Sequence, residues 1–392
     1  MKTVATGRPR RLLAGAAALA LAALLAGSTE ACDEGTVPLA GTCTPVTEVA
    51  DTIRGILRDQ IAALDLKSVI ASVRIGDTDI LTEAWGESMT GVPATTDMHF
   101  RNGAVAIAYL GTVLLQMAER GELSLDDTLD AWFPDLPKAK DVTLRMLINS
   151  TSGYADYVNL DILPLYDEPF RQWTPEELIA LGMSQPMVCD PGTCFAYAHT
   201  NFVILGEVLS NVSGRPVDAL IREGILEPLG LDNTRSESTA VIQAPVLHAF
   251  TSERGMHEDS TYWNPSWTLA RGAVMTTDIG DLIASAIAIG SGSLLAPQSS
   301  ADQLALAEPI LKPFSEQFYF GLGVVRIAGW VAQTPSFAGY SAAMAYLPSE
   351  QIAVAITATM NPDTPDEPRP TDVLFARLAE YLSPDNVPER RR

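Results

Sequence analysis

The sequence predicts an α+β protein. An antiparallel sheet is built from both chain ends and flanked by helices, and a mostly helical lobe is inserted between them. Three observations predict this. Strand-like alternation appears shortly after the start of the chain and again over its last quarter. A helical apolar pattern precedes the first strands and another follows the last. Between them, the apolar residues recur mostly at helical spacing.

The elements are justified in turn. Ile53, Ile56, Leu57, Ile61 and Leu64 recur at helical spacing, which predicts a helix over 47–64. Residues 69–75 form a strand with Val69, Ala71, Val73 and Ile75 on one face, and 80–85 a second strand after a turn at 76–79. In the middle, Ser124 with Asp127, and Thr174-Pro175-Glu176-Glu177, carry helix-start signatures. Phe202, Leu205, Val208, Leu209 and Val212 make an apolar stripe that stops at Gly214. Strands are expected over 320–327, 329–337, 342–347 and 352–359, and a last helix over 371–382. The sheet lobe thus takes in about 48–100 and 300–384, and the helical lobe about 101–299. A groove between two lobes is the default place for a ligand.

Residues 1–31 read as a signal peptide. Lys2, Arg8, Arg10 and Arg11 are followed by an apolar run from Leu12 to Gly27 and small residues ending at Ala31. The run is short for a membrane span, so an exported chain, periplasmic or extracellular, is expected, with no transmembrane helix in the mature form. Arg10-Arg11 hints at twin-arginine export, with poor flanks. Four cysteines support export. Cys32 and Cys43 bracket one short loop and Cys189 and Cys194 another; of the three pairings, two local disulfides are the simplest. Lipid anchoring at Cys32 competes with the first bridge, and Thr29-Glu30 is a poor lead into a lipidation site. Residues 32–47 form a short disulfide-looped segment, 48–384 the main domain and 385–392 a tail. Removing 1–31 takes away four positive charges and one negative, from −22 to −25. Such a surface repels nucleic acid and anionic lipid.

Generic motifs are missing from the sequence. There is no P-loop, no GxGxxG and no HExxH, and Gly86-Glu87-Ser88-Met89-Thr90 lacks the last glycine of a nucleophile elbow. His99, His199, His248 and His257 are scattered, so no metal site and no cofactor are expected.

Several stretches in order carry a resemblance. They are Phe100-Arg101-Asn102-Gly103, QMAERGELSLDDTL (116–129), LINSTSGYADY (147–157), the run from Pro191-Gly192-Thr193 to Gly206, 226–231, and 339–348. Together they resemble the serine β-lactamase and DD-peptidase family, in its class C β-lactamase, D-Ala-D-Ala carboxypeptidase and esterase branch. The resemblance covers nearly the whole of the chain after residue 31. It implies a β-lactamase/transpeptidase-like fold and three catalytic sites.

At each site this sequence departs from the family pattern. The first is S-x-x-K, where serine attacks a carbonyl and lysine helps take its proton. Here the positions hold Ala104 and Ile107. No displaced copy exists: the residues three before Lys67, Lys138, Lys140 and Lys312 are Leu64, Asp135, Pro137 and Pro309. The second, Tyr-x-Asn, reads Tyr197-Ala198-His199. The third, Lys-Thr-Gly or His-x-Gly, reads Gln333-Thr334-Pro335-Ser336 in the register set by Gly339-Tyr340. No histidine follows His257, so a shifted register restores nothing.

The resemblance therefore implies a serine hydrolase ancestry with no catalytic site intact. The expected function is a pseudoenzyme that binds a cell-wall peptide, a small molecule or a protein, with Tyr197, His199, Gln333 and Ser336 lining the groove. The alternative is a working hydrolase with a substitute nucleophile among Ser150, Ser152, Thr200, Ser336 and Ser341, and Tyr197 or His199 as base. A third reading closes the groove with Tyr262, Trp263 and Trp267.

Overall fold

The computed structural model describes residues 32–158, 167–236, 239–307, 309–364 and 367–388. Residues 1–31, expected to be a signal peptide, and the last four residues of the expected tail lie outside them. The helices that matter here are α1 (Val46–Ala63), α2 (Ala106–Glu119), α3 (Pro175–Met183), α4 (His199–Ser213), α5 (Ile279–Ser291) and α6 (Pro370–Leu382). The strands are β1 (Leu66–Ile75), β2 (Thr78–Met89), β3 (Phe318–Phe320), β4 (Val325–Ile327), β5 (Trp330–Gln333), β6 (Ser336–Phe337), β7 (Tyr340–Leu347) and β8 (Ile352–Met360).

Among the described residues the main sheet has nine strands, in the order β3-β4-β5-β7-β8-β1-β2 followed by the two-residue strand Val92–Pro93, with β6 paired to β7. The pairs are antiparallel. The seam between the chain ends is β8 on β1, with Val354 opposite Val73 and Ala358 opposite Val69. Strand alternation then sorts the side chains. Val69, Ala71, Val73 and Ile75 face a layer made by Ile53 and Leu57 of α1 and Leu374, Leu378 and Leu382 of α6. Ile70, Met344, Tyr346 and Ala353 belong to the opposite core, shared with α2, α4 and α5. A sheet covered on both faces explains why β7 and β8 are apolar nearly throughout.

Three expectations are corrected in detail. Ser124 and Asp127 begin a turn, not a helix. The Asp127 carboxylate accepts from the Ser124 N–H at 2.7 Å, and a single 3₁₀ turn (Leu129–Ala131) follows. The same side-chain chemistry serves turns and helix starts alike. The strand expected over 320–327 is split into β3 and β4 by a tight turn, Gly321 N–H to Val324 carbonyl, 2.8 Å. The strand over 329–337 is broken at Thr334-Pro335, because proline has no N–H to give the ladder. Thr174 does form the full capping box with Glu177 at the start of α3. Both expected disulfides, Cys32–Cys43 and Cys189–Cys194, are present. No helix among the described residues is long and apolar enough to cross a membrane.

Candidate active site

The segment leading into α2 is held from below. Phe100 and Arg101 pair with Thr277 and Thr276. Asn102 exchanges two bonds with Met275, its N–H to the carbonyl and its Oδ1 from the N–H, both 3.1 Å. Arg101 is 1% exposed. Its Nη2 donates to the Ala240 carbonyl at 2.7 Å and its guanidinium lies 5.7 Å from the Phe337 ring centre. Burial pushes its pKa down to about 10, a measure of how dry this wall is.

A 3₁₀ turn, Gly103–Val105, then delivers the chain to α2. Gly103 has φ +51°, and a side chain there would sit 3.1 Å from Pro335. Pro335, the odd residue of the third site, is thus packed against the turn that carries the first. Ala104 is partly buried and Ile107 is fully buried in the apolar core.

Gln333 is tied to the same helix from the other side. Gly323 lies on the Ile107 carbonyl, where an added Cβ would come within 2.6 Å. The Gln333 amide donates to the Gly323 carbonyl at 2.7 Å and is 5% exposed. Expected in the groove, Gln333 instead spends its polar group inside, fastening β5 to the loop over α2. Ser336 is exposed. The neighbouring Thr334 hydroxyl accepts from Arg369 Nη2 at 3.4 Å, and Arg369 is held by Asp372 at 3.0 Å. Nothing in the sequence pattern pointed to Arg369, which follows a proline-rich stretch and starts α6.

The facing wall is built around Tyr197 and His199. Its loop is stapled by Cys189–Cys194 and laced to 150–153 by three backbone bonds: Val188 to Gly153, Gly192 to Thr151 and Ala196 to Ser150. The Tyr197 ring packs on Phe202, Phe320 and the edge of His199, with centroids 5.6, 6.4 and 5.2 Å away. Burial, reinforced by the nearby Asp156 charge and opposed by Arg369, holds its phenol above the usual tyrosine range.

His199 opens α4 and meets Asp156, a residue the sequence reading did not single out. The Asp156 carboxylate receives the His199 backbone N–H at 3.3 Å, the Val158 N–H at 3.0 Å and His199 Nδ1 at 3.0 and 3.1 Å. A carboxylate only accepts, so Nδ1 carries a proton and donates it to Asp156. The His199 side chain remains 18% exposed while that of Asp156 is 5%.

Trp267 links the two walls. It stacks on Phe337 (5.7 Å, 13°) and lies 6.3 Å from His199, and its carbonyl receives the Tyr157 hydroxyl at 2.7 Å. Trp263 is buried and Tyr262 exposed, so of the three loop aromatics Trp267 is the one at the site.

The expected substitute nucleophiles separate clearly. Ser150, Ser152, Thr200 and Ser341 are fully buried. Ser152 donates to Asn201 Oδ1 at 2.6 Å, Thr200 to the Ala155 carbonyl at 2.7 Å, and Ser341 shares a 2.6 Å bond with Thr371. Only Ser336 of the five is exposed. The other histidines are elsewhere: His99 is buried on the Pro245 carbonyl, His248 pairs with Asp259, and His257 stacks on Phe250. Among the described residues no three metal-binding side chains come together.

Comparison with known proteins agrees with this architecture. Penicillin-binding protein 4 of Amycolatopsis lactamdurans is 29% identical over 181 residues, 45% of this chain and 46% of that protein. A D-aminopeptidase of Brucella anthropi is 28% identical over 172 residues, 42% of this chain and 31% of that protein. These matches span less than half the length of the curated relatives. The solved D-amino acid amidase of Ochrobactrum anthropi SV3, complexed with L-phenylalanine amide, superposes with a TM-score of 0.76 over 86% of this chain and 99% of its own, at 21% identity. The pattern described as Beta-lactamase matches residues 53–378, from inside α1 to inside α6. With sheet, helical lobe and facing walls all in that frame, this chain belongs to the Beta-lactamase family.

Proposed function

We propose that this protein is an exported, non-catalytic member of the family that binds an amino-acid or peptide amide, such as a cell-wall peptide, between the Ala104 and His199 walls. One observation carries the reading: the head of α2 presents Ala104, and Ile107 is fully buried in the apolar core. A methyl group cannot attack a carbonyl and an aliphatic chain cannot hold a proton. Lysines are placed elsewhere. Lys67 lies 4.8 Å from the Phe250 ring centre, Lys138 pairs with Asp190, and Lys140 and Lys312 are exposed. Burial holds the Tyr197 phenol above the usual tyrosine range, which speaks against a phenolate base. Loss of the nucleophile in a comparable serine enzyme costs roughly 10⁶-fold in turnover. The ligand class is supported by the names of the relatives, which include a D-aminopeptidase and penicillin-binding proteins. Export is supported by the signal-like start and the two disulfides.

A second reading, hydrolysis through a substitute nucleophile, draws on one observation, the exposure of Ser336 beside Pro335. Intact-mass spectrometry of the folded protein after incubation with a β-lactam, and separately with a fluorophosphonate, decides between them. Unchanged mass is expected. A stoichiometric adduct overturns the non-catalytic reading, and peptide mapping then names the nucleophile.

A further inference from the structure

We propose that the Cys189–Cys194 disulfide is a redox clasp on the Tyr197–His199 wall: a dithiol reductant opens it, and the wall loosens while the rest of the fold stands. This goes beyond the binding reading and does not depend on which ligand the site takes.

The argument begins with placement. The bridge closes a short loop, with a sequence separation of 5, just ahead of Tyr197 and His199. Residues 195–198 belong to no helix or strand, so no ladder holds them. Their hold is the platform at 150–153, reached by Val188 N–H to the Gly153 carbonyl at 2.7 Å, Gly192 to Thr151 at 2.8 Å and Ala196 to Ser150 at 2.9 Å. Cys189 lies directly on Gly153: an added Cβ would strike the Cys189 carbonyl and sit 3.4 Å from its sulfur. The same platform runs on to Asp156, whose carboxylate receives the His199 backbone N–H. Both sides of the His199–Asp156 contact thus hang from the clasped loop.

The second strand is tension. Ser150 is a non-glycine residue at φ +58°, in the left-handed region. It is fully buried, and its hydroxyl has no hydrogen-bond partner among the described residues. Both features cost free energy and persist only where the surroundings hold them. The loop above Ser150 does so through the Ala196 N–H.

The third strand is reach. Cys189 and Cys194 are half-buried among exposed Val188, Asp190 and Thr193, so a small reductant has access. The Lys138–Asp190 pair, 3.5 Å apart and exposed on both sides, adds little to the hold. A bridge over a short loop restrains the unfolded chain less than one over a long loop, so its loss falls on the wall rather than on the fold. The other bridge, Cys32–Cys43, ties a hairpin whose Val37 and Leu39 belong to the α1 layer, whereas Tyr197 packs on the opposite core.

The step is thiol–disulfide exchange. A thiolate of the dithiol attacks one sulfur of the bridge, and the other sulfur leaves as a thiolate and takes a proton. The second thiol of the reductant then closes its own disulfide and frees the first cysteine. Two electrons pass from the dithiol to the protein.

Hydrogen exchange of the full protein, oxidised and after dithiothreitol, tests this, with alkylation and peptide mapping to show which cysteines are free. Amides of Gly192, Ala196 and His199 should exchange at least about 10-fold faster once Cys189 and Cys194 are free, while Val73 and Val354 at the sheet seam stay within about two-fold. Removal of the reductant and reoxidation should restore the slow rates. A Cys32→Ser/Cys43→Ser variant should respond as the unaltered protein does, and Cys189→Ser/Cys194→Ser should exchange fast without reductant and ignore it. Faster exchange at the seam as well makes the bridge a brace of the whole fold and overturns the proposal. Unchanged exchange in the wall, a bridge that resists the dithiol, or slow rates that do not return on reoxidation also overturn it.

Discussion

The two walls of the candidate site differ in character. At the head of α2, the positions that the family resemblance assigns to attack and proton transfer hold a methyl group and a buried isoleucine packed under Gly323. At the head of α4, a histidine stands where the resemblance implies an amide, and it meets a buried carboxylate. The first wall is apolar at these two positions, with Arg101 and Asn102 buried just before them; the second holds a buried carboxylate. The difference teaches that the candidate site is not evenly inert. Positions 104 and 107 of the α2 wall carry no polar side chain, whereas the α4 wall holds the Asp156 carboxylate against His199.

The contrast can be broken or sharpened by substitution. The largest effect is expected for Ile107→Lys, which places an unpaired charge in the core. Denaturant unfolding should show a loss of about 3–5 kcal/mol. A near-neutral result would mean that a hidden carboxylate faces the position, and the α2 wall would then not be apolar in character. Next comes Asp156→Asn, which removes the charged partner of His199 and weakens three hydrogen bonds. A loss of about 1.5–3 kcal/mol is expected in the same measurement, and an unchanged midpoint would demote the pair to a surface contact. Gln333→Ala should cost about 1–2 kcal/mol by leaving the Gly323 carbonyl unsatisfied. If stability holds, water replaces the amide and β5 is not fastened through it. The smallest effect is expected for Ala104→Ser, within about 0.5 kcal/mol of the parent as a partly exposed change. It should still give no adduct with a β-lactam by mass spectrometry, because no lysine supports the new hydroxyl.

How much of this was legible depends on the range of the determinant. Helix α1 and strands β1 and β8 were readable because their apolar periods are local and strong. The Thr174 capping box was readable for the same reason, within one turn. Ser124 and Asp127 were misleading since a capping pair and a turn use one chemistry. The inward course of Gln333 was hidden, because it depends on where the 321–324 loop crosses α2. Asp156 and His199 are 43 residues apart, and only the packing of the 150–157 segment on the Cys189–Cys194 loop brings them together. Motif spacing assigned positions to the three sites. It said nothing of which side chains turn toward one another.

The seam between β1 and β8 has a consequence for biosynthesis. Ser68 and Thr359 share a 2.5 Å hydrogen bond across it while standing 291 residues apart in the chain. At translation rates of about 5–20 residues per second, β1 waits about 15 to 60 s for the strand that covers its edge. Until then the nascent polypeptide lacks the partner that completes its central sheet. A ribosome stalled before Ile352 should therefore display a protease-sensitive chain, and release of the last strand should be the moment at which resistance appears.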